Sequence, residues 1–336
     1  FATESGAGSL PLADNTYVRT GTGDIRIHSG GDINLLDSSS VIYTAGSNAG
    51  FGTFLDGDSR VALFLNGAQN GTNGGDIFVN TQGDLNFERG SDQFVNEWLF
   101  RWGEPVSGNI NLPTMWAIRF ENFEQGIGAL GGGNIEIIAD GDANNLSASI
   151  PTVALHQGDF GQVGFSYTDN TFEVLNGGSL LVDIGGDITR GKLDVENGNM
   201  NVITKGNIGD ANIDNTAALV AMGSNTQSKV ISNGEMNIDA VVNPFLMPQG
   251  EGQDLSSINQ GFPESYFTTY QENASFEAIS KIGKLNYFAD SGAINADNLG
   301  NENFDGFLYL PGSVKLASLQ DDIVLGNSLR LDSAPF

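Results

Sequence analysis

Closely spaced carboxylates are the residues in this chain best placed to do chemistry. Asp56-Gly57-Asp58 and Asp140-Gly141-Asp142 each set two acids across a flexible glycine. Hard cations want clustered oxygen ligands, so Asp56, Asp58, Asp140 and Asp142 are candidate calcium ligands. Stacked turns would add to them by aligning Asp24 with Asp32, or Asp76 with Asp84. The competing reading is that Asp and Asn here favour left-handed and turn geometry and hydrogen-bond their own backbone. Neither the Gly-Gly-x-Gly-x-Asp nonapeptide of calcium-binding β-rolls nor an EF-hand loop is in the sequence.

Catalytic constellations are harder to find. A polysaccharide lyase needs a basic residue to take a proton and cations to stabilise the acidic sugar. The basic residues are sparse and scattered, among them Arg26, Arg60, Arg89, Arg101, Arg119, Arg190, Lys192 and Lys205. A hydrolase needs two carboxylates facing each other across a groove, and a chain with 41 acids always offers some such pair. The two histidines, His28 and His156, are far apart in sequence and suggest neither a triad nor a zinc site. Trp98, Trp102 and Trp116 are candidates for stacking on sugar faces, or equally for a packing knob or an interface between filaments. Tyr266, Phe267 and Tyr270 form a second group of candidate contact residues.

All these residues must be positioned by a repeated strand-and-turn unit. It reads Gly23-Asp24-Ile25-Arg26-Ile27, Gly31-Asp32-Ile33-Asn34-Leu35, Gly75-Asp76-Ile77-Phe78-Val79 and Gly83-Asp84-Leu85-Asn86-Phe87. Later copies begin at Gly133, Gly186, Gly198 and Gly206, and looser ones at Gly234, Gly283 and Gly312. Alternation with a period of two marks a half-buried strand, and Gly followed by Asp or Asn marks a turn. Such a unit cannot bury its apolar face alone, so neighbouring copies must stack. Paired phrases start eight residues apart, at Gly23 and Gly31 or Gly75 and Gly83, which suits one short strand plus a turn. The expected fold is all-β, a right-handed parallel β-helix with two irregular insertions. At roughly 20–25 residues per coil it would have about 14 coils, and a rod roughly 60–70 Å long.

The rhythm breaks twice. The expected organisation is β-helix over 1–90, an aromatic-rich insertion over 91–124, and β-helix over 125–243. A Pro- and aromatic-rich loop over 244–275 follows, then β-helix over 276–336. Insertions in solenoids loop out from one face and often carry partner contacts. Neither terminal coil carries an obvious polar cap, so the chain is expected to be a piece of a longer protein or to stack end to end.

Composition narrows the classes further. Forty-one acids against 14 Lys plus Arg give a formal charge of −27, which repels nucleic acid and anionic lipid. Hydrophobic content of 39% suits a fold that buries one face of each strand. The absence of cysteine removes zinc-thiolate sites, iron–sulfur clusters and Cys nucleophiles. No apolar run is long enough to cross a bilayer as a helix.

A resemblance emerges between residues 123 and 152. The run Gln125-Gly126-Ile127-Gly128-Ala129-Leu130-Gly131-Gly132-Gly133-Asn134-Ile135 leads into Ala139-Asp140-Gly141-Asp142, then Asn145-Leu146-Ser147-Ala148-Ser149-Ile150-Pro151-Thr152. It resembles the stem of large filamentous haemagglutinin-like exoproteins, the secreted partners of bacterial two-partner secretion systems. Gly177-Gly178-Ser179-Leu180, Gly185-Gly186-Asp187-Ile188, Gly191 and Gly198-Asn199 are similar to the stem that follows in that family. The likeness is specific over 120–210. It implies export through an outer-membrane transporter, folding outside a Gram-negative cell, and a non-enzymatic adhesive or filamentous role. Implied partners are a cell-surface or matrix component, or neighbouring copies of the chain. The family's secretion domain carries Asn-Pro-Asn where this chain has Asn243-Pro244-Phe245, so the piece corresponds to an internal or distal stem.

Overall fold

The computed structural model describes residues 17–37, 39–48, 68–69, 71–88, 95–102, 115–124, 126–157, 171–209, 218–243, 270–288, 309–326 and 330–331. They form a parallel β-helix whose coils stack their strands, or in places single bridges, in three columns. The first column stacks Tyr17–Thr20, Val41–Thr44, Ile127–Ala129, Leu146–Ile150 and the opening halves of Gly191–Thr204 and Ala218–Ser232. The end of Met236–Val242 completes it. The second column stacks eight strands. In order they are Ile25–Ser29, Ile77–Thr81, Ile135–Ala139, Leu180–Ile184, the closing halves of Gly191–Thr204 and Ala218–Ser232, Ser275–Ser280 and Ser313–Ser318. The third stacks Ile33–Leu35, Leu85–Phe87, Ala143–Asn144, single bridges at Ile188 and Ile208, then Met236, Leu285–Tyr287 and Ile323–Leu325.

Alternation decides what lies inside. Ile25, Ile77, Ile135, Leu180, Met200 and Phe276 occupy equivalent inward positions of the second column and are all buried. Leu85, Ala143, Ile188, Ile208, Met236 and Leu285 do the same in the third. A Ser or Thr ends many second-column strands and points inward, which apolar packing alone would not choose. Its hydroxyl closes the corner by donating to a glycine carbonyl: Thr81 to Gly31, Thr204 to Gly186, Ser280 to Gly234 (2.7 Å) and Ser318 to Gly283 (2.9 Å). A buried hydroxyl without such a partner would be destabilising.

The described residues contain eight levels rather than about 14, a stack of roughly 35–40 Å. The reason is coil length. Equivalent corners are 52, 58, 45, 20 and 28 residues apart, because chain leaves the stack either between the first and second columns or between the third column and the first column of the next coil.

Part of that excursion chain forms a second layer. Leu99–Trp102, Met115–Arg119, Thr152–Gln157 and Thr171–Asn176 make an antiparallel sheet, with Ala68–Gln69 paired to Met115–Arg119. Two of its strands come from 152–176, a stretch whose sequence was expected to continue the coils. The layer shares a second apolar core with the outer face of the first column. Val41, Tyr43, Ala240 and Val242 of the column pack in one cluster with Trp98, Leu99, Trp116, Ile118 and Val153. Gly128 makes room for it, since a Cβ there would lie 2.6 Å from the Phe123 ring.

Candidate functional site

The corner acids are arranged as ladders running along the stack. At the corner before the third column, the N–H of Asp84 donates to Asp32 Oδ1 (2.9 Å), and that of Asp142 to Asp84 Oδ1 (2.8 Å). The series continues from Asp187 N–H to Asp142 Oδ1 (2.7 Å), Asn207 N–H to Asp187 Oδ1 (2.6 Å) and Glu235 N–H to Asn207 Oδ1 (2.8 Å). A parallel ladder precedes the second column: Asp76 N–H to Asp24 Oδ1 (3.1 Å), Asn134 N–H to Asp76 Oδ1 (2.8 Å), Ser179 N–H to Asn134 Oδ1 (2.9 Å). Asp24 therefore stacks with Asp76, and Asp32 with Asp84. The expected alignments of Asp24 with Asp32 and Asp76 with Asp84 join neighbouring corners of one coil instead.

These aspartates bond the backbone of the next coil rather than their own. Among the described residues, the non-glycine positions with left-handed backbone are Asn73, Asn145 and Asn176, and none is a corner aspartate. Beyond the first coil, the glycine preceding a rung is required by close approach, whereas Gly23 and Gly31 before the first rungs face open space. A Cβ on Gly186 would lie 1.9 Å from Asp142 Oδ1, and one on Gly206 2.1 Å from Asp187 Oδ1. Asparagines add a shorter ladder in the third column, with Asn86 Nδ2 donating to Asn34 Oδ1 (2.9 Å) and Asn144 Nδ2 to Asn86 Oδ1 (2.6 Å).

Of the four candidate calcium ligands, Asp56 and Asp58 lie outside the described residues. Asp142 is a ladder rung, and Asp140 sits exposed at the strand end before it. Among the described residues, no group of three or more His, Asp or Glu is placed to hold a metal ion. His28 lies on the outer face of the second column and His156 on a strand of the covering sheet.

Aromatic residues are placed differently from a sugar-binding platform. Trp98 and Trp116 are 0% and 2% exposed, so neither offers a free face. Trp98 meets Phe123 edge-on at 5.2 Å, and Tyr43 stacks on Phe120 at 5.9 Å, which is core packing. Trp102 ends the strand Leu99–Trp102. Tyr270 is buried against the main core, while Tyr266 and Phe267 lie outside the described residues.

Two acids beneath the covering layer carried no sequence signal beyond alternation. Asp194 and Glu196 share the outer side of the first column, and both are buried. Ser149 Oγ–H donates to Asp194 Oδ2 (2.6 Å), whereas Asp194 Oδ1 has no hydrogen-bond partner. Burial pushes the Asp194 carboxyl up to about 7, opposed by the Ser149 bond. Glu196 Oε2 accepts from both the N–H and the hydroxyl of Thr152 (2.6 Å each), and Trp116 Nε1–H donates to the same hydroxyl (3.0 Å). This network ties the β-helix to its cover. Comparison with protein-family models, curated proteins and solved structures returned no match.

Proposed function

We propose that this chain is a structural and adhesive rod segment of a secreted bacterial exoprotein, of the filamentous haemagglutinin-like class, and that it is not an enzyme. In this reading it leaves a Gram-negative cell through an outer-membrane transporter, folds outside, and holds a cell-surface or matrix component away from the cell. The observation that supports it best is the stack itself: corner carboxylates, the residues most suited to chemistry, each hold the backbone of the next coil. Acid side chains used this way make a long, stiff scaffold and leave recognition to what projects from it.

Protease shaving of intact producing cells, with an antibody raised against the folded chain, tests the reading. Surface display predicts that the antigen is lost on shaving while a cytoplasmic marker survives. Antigen that resists shaving until the cells are lysed would overturn it. A second reading, a subunit of a self-assembling filament or sheath, is favoured by one specific face of the rod.

A further inference from the structure

The outer face of the second column differs from the rest of this acidic molecule. Two rows of outward side chains run along it in register. One carries Asn201, Lys229, Glu277 and Lys315, and the other Ile203, Ile231, Ile279 and Ala317. Ile203 is 36% exposed, and Ile231, Ile279 and Ala317 are partly exposed, so an aliphatic stripe four levels long meets solvent. Beside it, Glu277 pairs with both Lys229 (3.1 Å) and Lys315. Over the whole column the outward charges balance: Arg26, Lys229 and Lys315 against Glu136, Asp183 and Glu277. The full chain has 14 Lys plus Arg against 41 acids. On a body of charge −27, this is a face that a second such body can approach without strong repulsion.

We propose that two copies of the chain pair laterally, as antiparallel rods, through this face. The pattern is self-complementary in one arrangement. A two-fold axis running along the strands, between the levels of Lys229 and Glu277, inverts the order of levels and keeps each row against itself. Lys229 then faces Glu277 of the second copy, and Glu277 faces its Lys229. Ile231 meets the second copy's Ile279, and Ile203 meets its Ala317, each contact occurring twice. Such isologous contact closes a dimer, and stacked sheets pack about 10 Å apart, close enough for the two Ile rows to interdigitate. An axis along the rod would instead set Lys229 against Ile231 and desolvate a charge on an aliphatic surface. A shift by one level toward Asn201 sets Asp183 against Ile279, with the same penalty. The pairing makes a closed lateral dimer, so the filament reading needs a further contact elsewhere on the rod to propagate it, and the dimer holds wherever the rod is displayed.

Sedimentation equilibrium on the full chain across the micromolar range tests it, with far-UV circular dichroism as the fold control. The wild-type chain is expected to form a reversible dimer. Ile231→Lys and Lys229→Glu should each weaken it about tenfold or more, as loss of a central contact does. The double reversal K229E/E277K keeps the net charge, swaps the facing partners and should restore the dimer. Should Ile231→Lys fail to fold, the charge variants decide. A wild-type chain that stays monomeric, a dimer indifferent to Lys229→Glu, or a double reversal as weak as the single one would each overturn the pairing. Cell shaving reads none of these, so either proposal can fail alone.

Discussion

Replacing Asp194 with Asn should stabilise the protein at neutral pH and bring no gain at acid pH. The side chain is 0% exposed, receives one hydrogen bond, and holds its second oxygen against packed chain with no donor. Burial raises its pKa from 3.8 to about 7, a difference of about three units. At about 1.4 kcal/mol per unit, ionisation in place opposes folding by as much as about 4 kcal/mol. The sign follows from proton binding. Between about pH 4 and 7 the folded state holds a proton that the unfolded chain has released, so stability falls as pH rises through that window. Above about pH 7 the full penalty applies, and below about pH 4 it vanishes. An Asn at 194 keeps the shape and accepts the Ser149 hydroxyl without a charge, while its amide N–H₂ lacks an acceptor at a cost of about 1 kcal/mol. The expected gain at pH 8 is therefore about 2–3 kcal/mol, turning into a small loss near pH 4. Urea unfolding of both chains, followed by far-UV circular dichroism at several pH values, measures the difference directly. A variant that is less stable than wild type at pH 8, or a difference that does not change with pH, would refute the reasoning.

The ladder and the cover allow further tests. Asp142→Ala removes the acceptor of the Asp187 N–H and should cost about 1–2 kcal/mol in urea, whereas Asp142→Asn keeps Oδ1 and should stay within about 0.5 kcal/mol. Equal losses for Ala and Asn would mean that the carboxylate charge, not the hydrogen bond, is what matters. Gly186→Ala places a Cβ 1.9 Å from Asp142 Oδ1 and should destabilise by about 2 kcal/mol or more, with part of that recovered in G186A/D142A. A strictly additive pair would contradict the close approach. In Trp102→Phe, the remaining Trp98 and Trp116 are buried, so acrylamide should quench them weakly until denaturant is added. Strong quenching of the folded variant would show that the cover does not seal them.

Much of the scaffold was legible because it is written locally. The Gly-Asp-Ile phrases at Gly23, Gly31, Gly75 and Gly83 mark strand starts and corners, since period-two alternation and turn chemistry act over a few residues. The corner Ser and Thr at 81, 204, 280 and 318 were also visible, the first three lying two or three residues before a corner glycine, but their role shows only once the coil closes. Trp98 and Trp116 illustrate the opposite case: type and clustering fit a binding platform or a core equally, and burial alone separates the two. Asp194 was misleading in its own way. Alternation places it outward, where an acid is expected to meet water, and the covering sheet that buries it comes from elsewhere in the sequence.

By itself, then, the sequence determined that strands and tight corners repeat, that their apolar faces must stack, and that the outside is acidic. These follow from residue types within a span of about ten positions. Only the tertiary structure decided which coil lies on which. Corners that share a hydrogen bond are 20 to 58 residues apart, and no local signal carries that distance. That long-range register is what made the corner aspartates rungs between coils, buried one face of the first column, and left the Ile stripe of the second column in solvent.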